Sequence, residues 1–450
     1  IIAVIIAIVA VATYLIPGGA YETVVNESGK TVVVNGTFKY IQSQPQNIFN
    51  VLQAPIQGIV EGAEIIAFLF IVGGAFNVIS KTKAIDFGIL RVVEIFKGKE
   101  ILVLPILIFM FSLGGATFGM SEESVAFIAI LLPLILALGY DSIVAMCVTY
   151  LACNLGFSSA MLNPFTVGIG QSIAEVPLYS GVEYRTITWF ITTLVGCAFV
   201  MIYAMKIKKN PKLSPVFESD QIKHEKLKDI QSESAEFTTS HKIIVLSLFI
   251  GIGIIVYGVL KLGFWIPEIA GIFLAVGLVS GIVGKLAPNE MASAFTEGAK
   301  DMIGAAILIG FARSIMIIAQ NANIIDTILF NLSNAIGHLP SLIAAYIMLP
   351  IQMFINFFVN SGSGQAALTM PILAPLGDLV GISRQLTVLI YQLGDGFSNA
   401  MFPTSGVLIA CLGIAGIPYG KWLKWIIPLQ IILFICSLGF ITVATLIGWA

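Results

Sequence analysis

A few ionised side chains stand inside long apolar runs of this chain, where such groups are costly and usually placed for a purpose. Glu122 and Glu123 follow the glycine-rich stretch Gly114–Ser121, Asp395 lies in Leu393-Gly394-Asp395-Gly396, and Arg313 sits between Ala312 and Ser314. Short hydroxyl and amide side chains gather at the same places. Ser121, Asn163, Thr166, Asn360, Ser361, Ser363, Asn399, Thr404 and Ser405, with Arg313, are candidate contacts for a bound solute. Glu122, Glu123, Asn154, Asp395, Ser158 and Ser398 are candidate contacts for an ion or an ammonium group. Carboxylates, hydroxyls and amides can ligate a cation, and a planar guanidinium can clamp a carboxylate. Each acid also has a plainer role. Glu122 and Glu123 could cap the helix that follows, and Asp395 could join a structural ion pair. Arg313 could clamp a carboxylate, pair with Asp395, or snorkel to a surface. No nucleophile–base set or metal-ligand spacing accompanies these residues, and the three histidines lie in connecting segments. The expected chemistry is reversible binding, with no enzymatic step, no cofactor, and no metal beyond Na+ as a coupling ion alternative to H+.

The segments that carry these residues are written twice. Gly156-Phe157-Ser158-Ser159-Ala160-Met161 returns 240 positions later as Gly396-Phe397-Ser398-Asn399-Ala400-Met401. Glu61-Gly62-Ala63 matches Glu297-Gly298-Ala299, Ile85-Asp86 matches Ile325-Asp326, and Ile173–Pro177 matches Ile414–Pro418. Matches in the same order at nearly constant spacing indicate a duplicated unit. Each hexapeptide leads into proline and polar residues within an apolar run, so each marks a broken helix over 156–164 and 394–405. Backbone groups freed at such breaks are tolerated in a membrane only where they bond one another or line a wet cavity.

Composition fixes the setting. The 450 residues are 58% hydrophobic and only 11% charged, against about 25% charged in soluble domains. The apolar runs have helical length and lack strand alternation, which predicts an all-α polytopic membrane protein. A net charge of −2 gives no basis for nucleic-acid binding. The five cysteines all fall in apolar segments and suggest no disulfide frame. The chain opens on Ile1 within an apolar run, so the first helix is expected to be cut short.

Two repeats are expected, residues 1–205 and 243–450, joined by a hydrophilic linker at 206–242. Residues 17–48 read as an extracytoplasmic loop containing a β-hairpin, from β-branched runs punctuated by Asn-Gly turns. The paired apolar arms at 101–139 and 341–381 are short and enclose polar tips, which predicts a re-entrant hairpin in each repeat. With the linker placed in the cytoplasm, seventeen of the 23 basic residues fall on that side, and Lys30, Lys39, Arg185, Lys261 and Arg384 fall outside. Helix 62–80 then runs inward and its counterpart 301–319 outward, so the repeats are inverted.

Ile16–Tyr21, Ser112–Glu123, Asn163–Gly168 and Gly394–Ser405 together resemble the YfcC branch of the anaerobic four-carbon dicarboxylate carrier family, within the ion transporter superfamily. The resemblance covers nearly the whole chain. It implies a secondary transporter of the cytoplasmic membrane with a homodimeric scaffold and a transport domain that moves as an elevator, its partners being a small solute and lipid. Sequences of this branch are often labelled basic amino-acid antiporters. Sodium-dicarboxylate members of the superfamily carry Ser-Asn-Thr at both hairpin tips, whereas this chain has Met120-Ser121-Glu122 and Asn360-Ser361-Gly362. That departure argues against carrying over their sodium sites or their substrate. Three acids against one buried base favour an amino-acid-like solute; a cation-coupled dicarboxylate carrier is the alternative, and an ion channel a more distant one. No phosphate-cradling glycine-rich loop ending in lysine is present, so an ion gradient or exchange is the expected energy source.

Overall fold

The computed structural model describes residues 2–25, 31–34, 36–84, 100–223, 238–262, 264, 266–336 and 339–449. Helices dominate, as they must where backbone polar groups cannot reach water. The first half contains α1 (Ile2–Leu15), α2 (Ile48–Glu61), α3 (Ala63–Lys81), α4 (Val103–Phe118), α5 (Ser124–Ala137), α6 (Ser142–Ser158), α7 (Ile169–Ile173) and α8 (Val182–Lys209). The second contains α9 (Thr239–Leu262), α10 (Ile266–Val283), α11 (Pro288–Asp301), α12 (Ile303–Asn321), α13 (Ile324–Ile336), α14 (Ser341–Phe358), α15 (Gly362–Leu379), α16 (Arg384–Asn399), α17 (Gly406–Ala415) and α18 (Tyr419–Leu446). Among the described residues, α8, α10, α14 and α18 are long and apolar enough to cross a membrane. The α2–α3 and α12–α13 pairs, bent by 57° and 76°, would bring the number of spans to six.

Between α1 and α2 the chain forms two antiparallel strand pairs. β1 (Gly19–Ala20) pairs with β4 (Lys39–Tyr40), and β2 (Thr23–Val25) with β3 (Thr31–Val33). Phe38 stacks on Phe330 at 4.0 Å, and Tyr21 N donates to the Asp326 carboxylate at 3.0 Å. The strands are thereby fastened to α13.

Element lengths recur across the chain. α2 and α11 both have 14 residues, α3 and α12 both have 19, and α8 and α18 both have 28. Left-handed backbone appears at matching turns, at Lys83 and Asn323, Gly139 and Gly381, and Glu175 and Gly416. One textual match shifts register. Glu61 closes α2, and the residue closing the equally long α11 is Asp301, not Glu297. The Ile85-Asp86 match lies outside the described residues.

The helices pack in two groups. In one, α2 and α1 lie on α12, and α3 lies on α10 and α11. In the other, α4 packs on α6, α14 and α15 on α16, α5 on α17, and α6 on α16. The groups meet chiefly where α12 faces α17.

The hexapeptide glycines sit within helices, and the breaks come later than the sequence suggests. α6 continues through Ser158 and α16 through Asn399, leaving 159–163 and 400–405 irregular. The glycines serve close crossing instead. A Cβ on Gly156 would stand 1.8 Å from Ser112 O, and one on Gly396 would stand 2.3 Å from Ser158 Cα.

Arg185 is not an exposed loop base. It lies in the first turn of α8 with no exposed surface. The start of the linker is docked: Asp220 accepts from Ser142 N at 2.7 Å, while Lys223 donates to Ser142 Oγ and Ala415 O, each at 2.7 Å. One lysine thus joins the start of α6 to the end of α17.

Candidate functional site

Both hairpin tips and the second helix break open onto one cavity of about 330 Å³, which the first break borders through Phe157 and Phe165 on either side of it. α4 reaches its tip because Gly119 adopts left-handed backbone, and α5 restarts after Ser121-Glu122-Glu123. Ser361 caps the start of α15, and Ser405 caps α17 through Leu408 N at 3.4 Å. The cavity brings together Ser121, Glu122, Asn154, Arg313, Asn360, Ser361, Ser363, Asn399, Thr404 and Ser405 from the sequence-derived set.

Six candidates lie off its wall. Asn163 Oδ1 accepts from Phe165 N at 2.9 Å, starting the backbone turn that leads to α7. Glu123 turns back to accept from Ser121 N at 3.1 Å, which is local capping. Ser158 and Ser398 donate to Asn154 O and Gly394 O at 2.5 and 2.7 Å, within their own helices, and Ser398 Oγ also accepts from Asn356 Nδ2 at 2.7 Å. Thr166 and Asp395 are fully buried beside the cavity at Gly362; a Cβ on that glycine would meet Thr166 Cγ2 at 2.8 Å and Asp395 Oδ2 at 3.4 Å.

Helix breaks were expected to expose carbonyls, yet protein donors already take most of them. At the second break Asn154 Nδ2 holds Gly396 O (2.9 Å) and Asn356 Nδ2 holds Asp395 O (2.8 Å). Tyr150, Trp422 and Tyr419 take Asn399 O, Ala400 O and Met401 O at 3.0, 2.8 and 2.7 Å. At the first break Gln392 Nε2 reaches Phe157 O and Ala160 O at 3.4 and 3.1 Å. Each broken helix is therefore capped by an amide from the other. Among the described residues, buried side-chain atoms left unpartnered include both oxygens of Asp395, Asn154 Oδ1, Asn356 Oδ1, Gln365 Oε1, Thr166 Oγ1 and Thr404 Oγ1, and on the donor side Asn163 Nδ2 and Arg185 Nε. A buried carboxylate that no protein donor meets suits a proton or a hard monovalent cation.

The residues missed by sequence reasoning are informative. Glu61 and Glu64, at the α2–α3 bend, line the cavity together with Arg313, and Tyr150, Phe157, Phe165 and Phe358 supply its aromatic wall. Among the described residues no ion pair joins Arg313 to Asp395; Arg313 packs on Gly62, whose Cβ would lie 3.2 Å from Arg313 Cδ. The helical spacing Gln57, Glu61, Glu64 was the available signal for the acids. Arg185 gave none.

Arg185 donates to Gln392 Oε1 at 2.6 Å and Gln385 Oε1 at 3.1 Å, and its guanidinium lies 5.5 Å from the Trp449 ring. It faces amides where a buried guanidinium usually meets a carboxylate. By fixing Gln392 it orients the donor that closes the first break. Arg185→Lys keeps the charge but cannot span both amides, so the apparent melting temperature and uptake should fall together. The loss expected is about 1.5–3 kcal/mol for a hydrogen bond to a charged group, read by thermal unfolding of purified protein.

A family model described as C4-dicarboxylate anaerobic carrier matches residues 1–446. The chain is 46% identical over 412 residues to the Escherichia coli K12 protein named "Putative basic amino acid antiporter YfcC", covering 88% of this chain and 81% of that protein. It is 30% identical over 402 residues to an uncharacterized protein of Haemophilus influenzae, covering 89% and 79%. The solved structure of the Alcanivorax borkumensis YdaH transporter aligns with 100% of this chain and 97% of its own at 15% identity and a TM-score of 0.43.

Proposed function

The chain belongs to the C4-dicarboxylate anaerobic carrier family, and from that premise we propose that it is a secondary transporter for a small amino-acid-like solute carrying a carboxylate and at least one ammonium group. The observation that carries this reading is the charge of the cavity wall. Glu61, Glu64 and Glu122 line it against the single base Arg313. A dianion would meet three carboxylates around one guanidinium. A basic amino acid matches the balance, with its carboxylate on Arg313 and its ammonium groups toward the glutamates. The name borne by the 46% identical relative agrees. The family description favours a cation-coupled dicarboxylate carrier as the second reading.

The duplicated architecture is proposed as two inverted repeats, 1–205 and 243–450, each with a re-entrant hairpin and a broken helix. Equal helix lengths and matched left-handed turns support this. The two packing groups suit a scaffold and a transport body that slides against it, in the manner of an elevator. A scaffold homodimer and a cytoplasmic linker at 206–242 belong to the same reading; the lysines at 206, 208, 209 and 212 support the latter. Coupling by Na+ or H+ is assigned to Asp395, whose two oxygens are unpartnered among the described residues and whose Oδ2 lies beside Gly362 at the start of α15.

A thermal-shift panel on purified protein separates the readings, because a ligand of the folded state adds about 2.7 kcal/mol at a hundred times its Kd. L-Lysine, L-arginine or L-ornithine should raise the melting temperature, and succinate and fumarate should leave it in place. A shift by the dicarboxylates alone would establish the second reading.

A further inference from the structure

A second recess of about 510 Å³ opens on the strand-bearing face, and all eight side chains that line it are amides. Asn50, Gln53 and Gln57 come from α2, and Gln320 and Asn321 from the end of α12. Continuing along α2 and α3 at the same helical spacing, the next residues on that side are Glu61 and Glu64, which line the central cavity. On the partner helix Gln320 lines the recess and Arg313, two turns back past Met316, lines the central cavity. We propose that this seam is a hydrophilic access track by which small zwitterionic or cationic solutes pass between the strand-bearing face and the central cavity, with the amide recess as its mouth; the assignment rests on the transporter reading above.

Backbone contact holds the two sides of the seam together. A Cβ on Gly58 would stand 2.1 Å from Gly310 O, and one on Gly310 would stand 2.4 Å from Ile59 Cγ1. At 1.5 Å rise per residue, Asn50 to Glu61, where α2 ends at the 57° bend, covers about 16 Å. With a hydrocarbon core of about 30 Å, a stripe of that length along the membrane normal reaches from the surface to about mid-depth. The other face of α2 is apolar and open, with Leu52 69% and Ile56 66% exposed, as a lipid-facing surface requires. Neutral amides can donate to a carboxylate and accept from an ammonium group, so they solvate both ends of a zwitterion without trapping either. Fixed charge appears only at the deep end of the stripe. A helix merely resting at the membrane surface would have no reason to finish its polar face inside a cavity shared with both hairpin tips.

Single-cysteine variants of the whole chain test the track without knowledge of the solute. The probe is the cationic, membrane-impermeant reagent (2-trimethylammonium)ethyl methanethiosulfonate, applied to either side of sealed vesicles, with Lys39→Cys marking the strand side and the native chain as blank. Asn50→Cys, Gln53→Cys, Gln57→Cys and Glu61→Cys should all react from the Lys39 side, with rates falling inward, and Leu52→Cys should stay at least tenfold slower than Gln53→Cys. Labelled Gln57→Cys should also lose at least tenfold of its L-lysine uptake relative to the same variant before labelling. Reaction at Asn50→Cys with none at Gln57→Cys and Glu61→Cys would overturn the proposal, leaving an ordinary solvated helix end. Graded labelling in a protein that moves no amino acid or dicarboxylate would uphold the track and sink the transporter reading instead.

Discussion

Asp395→Asn is expected to abolish uptake while the purified protein melts at the same temperature or higher. The carboxylate is fully buried and neither oxygen has a hydrogen-bond partner among the described residues. An ionised group held this way costs several kcal/mol, so replacing it with a neutral isostere relieves the fold. The same oxygens, of which Oδ2 lies beside Gly362 at the start of α15, are the donors assigned to the coupling cation. Loss of a charge-assisted contact worth about 3 kcal/mol lowers affinity by more than about 100-fold. Stability and transport therefore move in opposite directions, which a structural ion pair could not produce. Uptake at the native rate would remove Asp395 from the site, and a large drop in melting temperature would make it a fold determinant.

Gly156→Val should prevent accumulation of folded protein. The new Cβ would fall 1.8 Å from Ser112 O, and that carbonyl belongs to a neighbouring helix that cannot step aside without opening the α4–α6 crossing. Overpacking against backbone belongs to the small class of substitutions that cost more than about 4 kcal/mol. Gly253→Val on α9, where no atom lies within 4 Å of the added Cβ, should leave expression and melting almost unchanged. The comparison is read by fluorescence size-exclusion of the detergent-solubilised protein. Normal accumulation of the Gly156 variant would show that α4 and α6 are free to part.

Much of this could be read in advance because membrane helices advertise themselves. Apolar run length located the helices, and polar residues within those runs located the tips and breaks, ten of which do line the central cavity. Two things were hidden. Position along the chain says nothing of which carbonyls find donors, so the exchange of amide caps between Asn154 and Gln392 needed the structure. Arg185 was masked by its setting: Val182-Glu183-Tyr184-Arg185-Thr186 is polar enough to pass for a loop, although it forms the first turn of a 28-residue helix. For Ser158 and Ser398 the hidden part was where the hydroxyl proton goes, since each had an i−4 carbonyl within reach.

The contact of Gly396 with Ser158 ties the two matching hexapeptides to one another. The two hexapeptides are neighbours in space, and Asn154, just before the first, donates to Gly396 O in the second. A side chain added at Gly396 would collide with Ser158 of the first copy, and one added at Gly156 would collide with Ser112 O of α4, so neither glycine can be enlarged alone. The matched glycines are thus both held small by close approach, one to the other hexapeptide and one to α4, and the near-identity of the two passages coincides with a place where the backbone leaves no room.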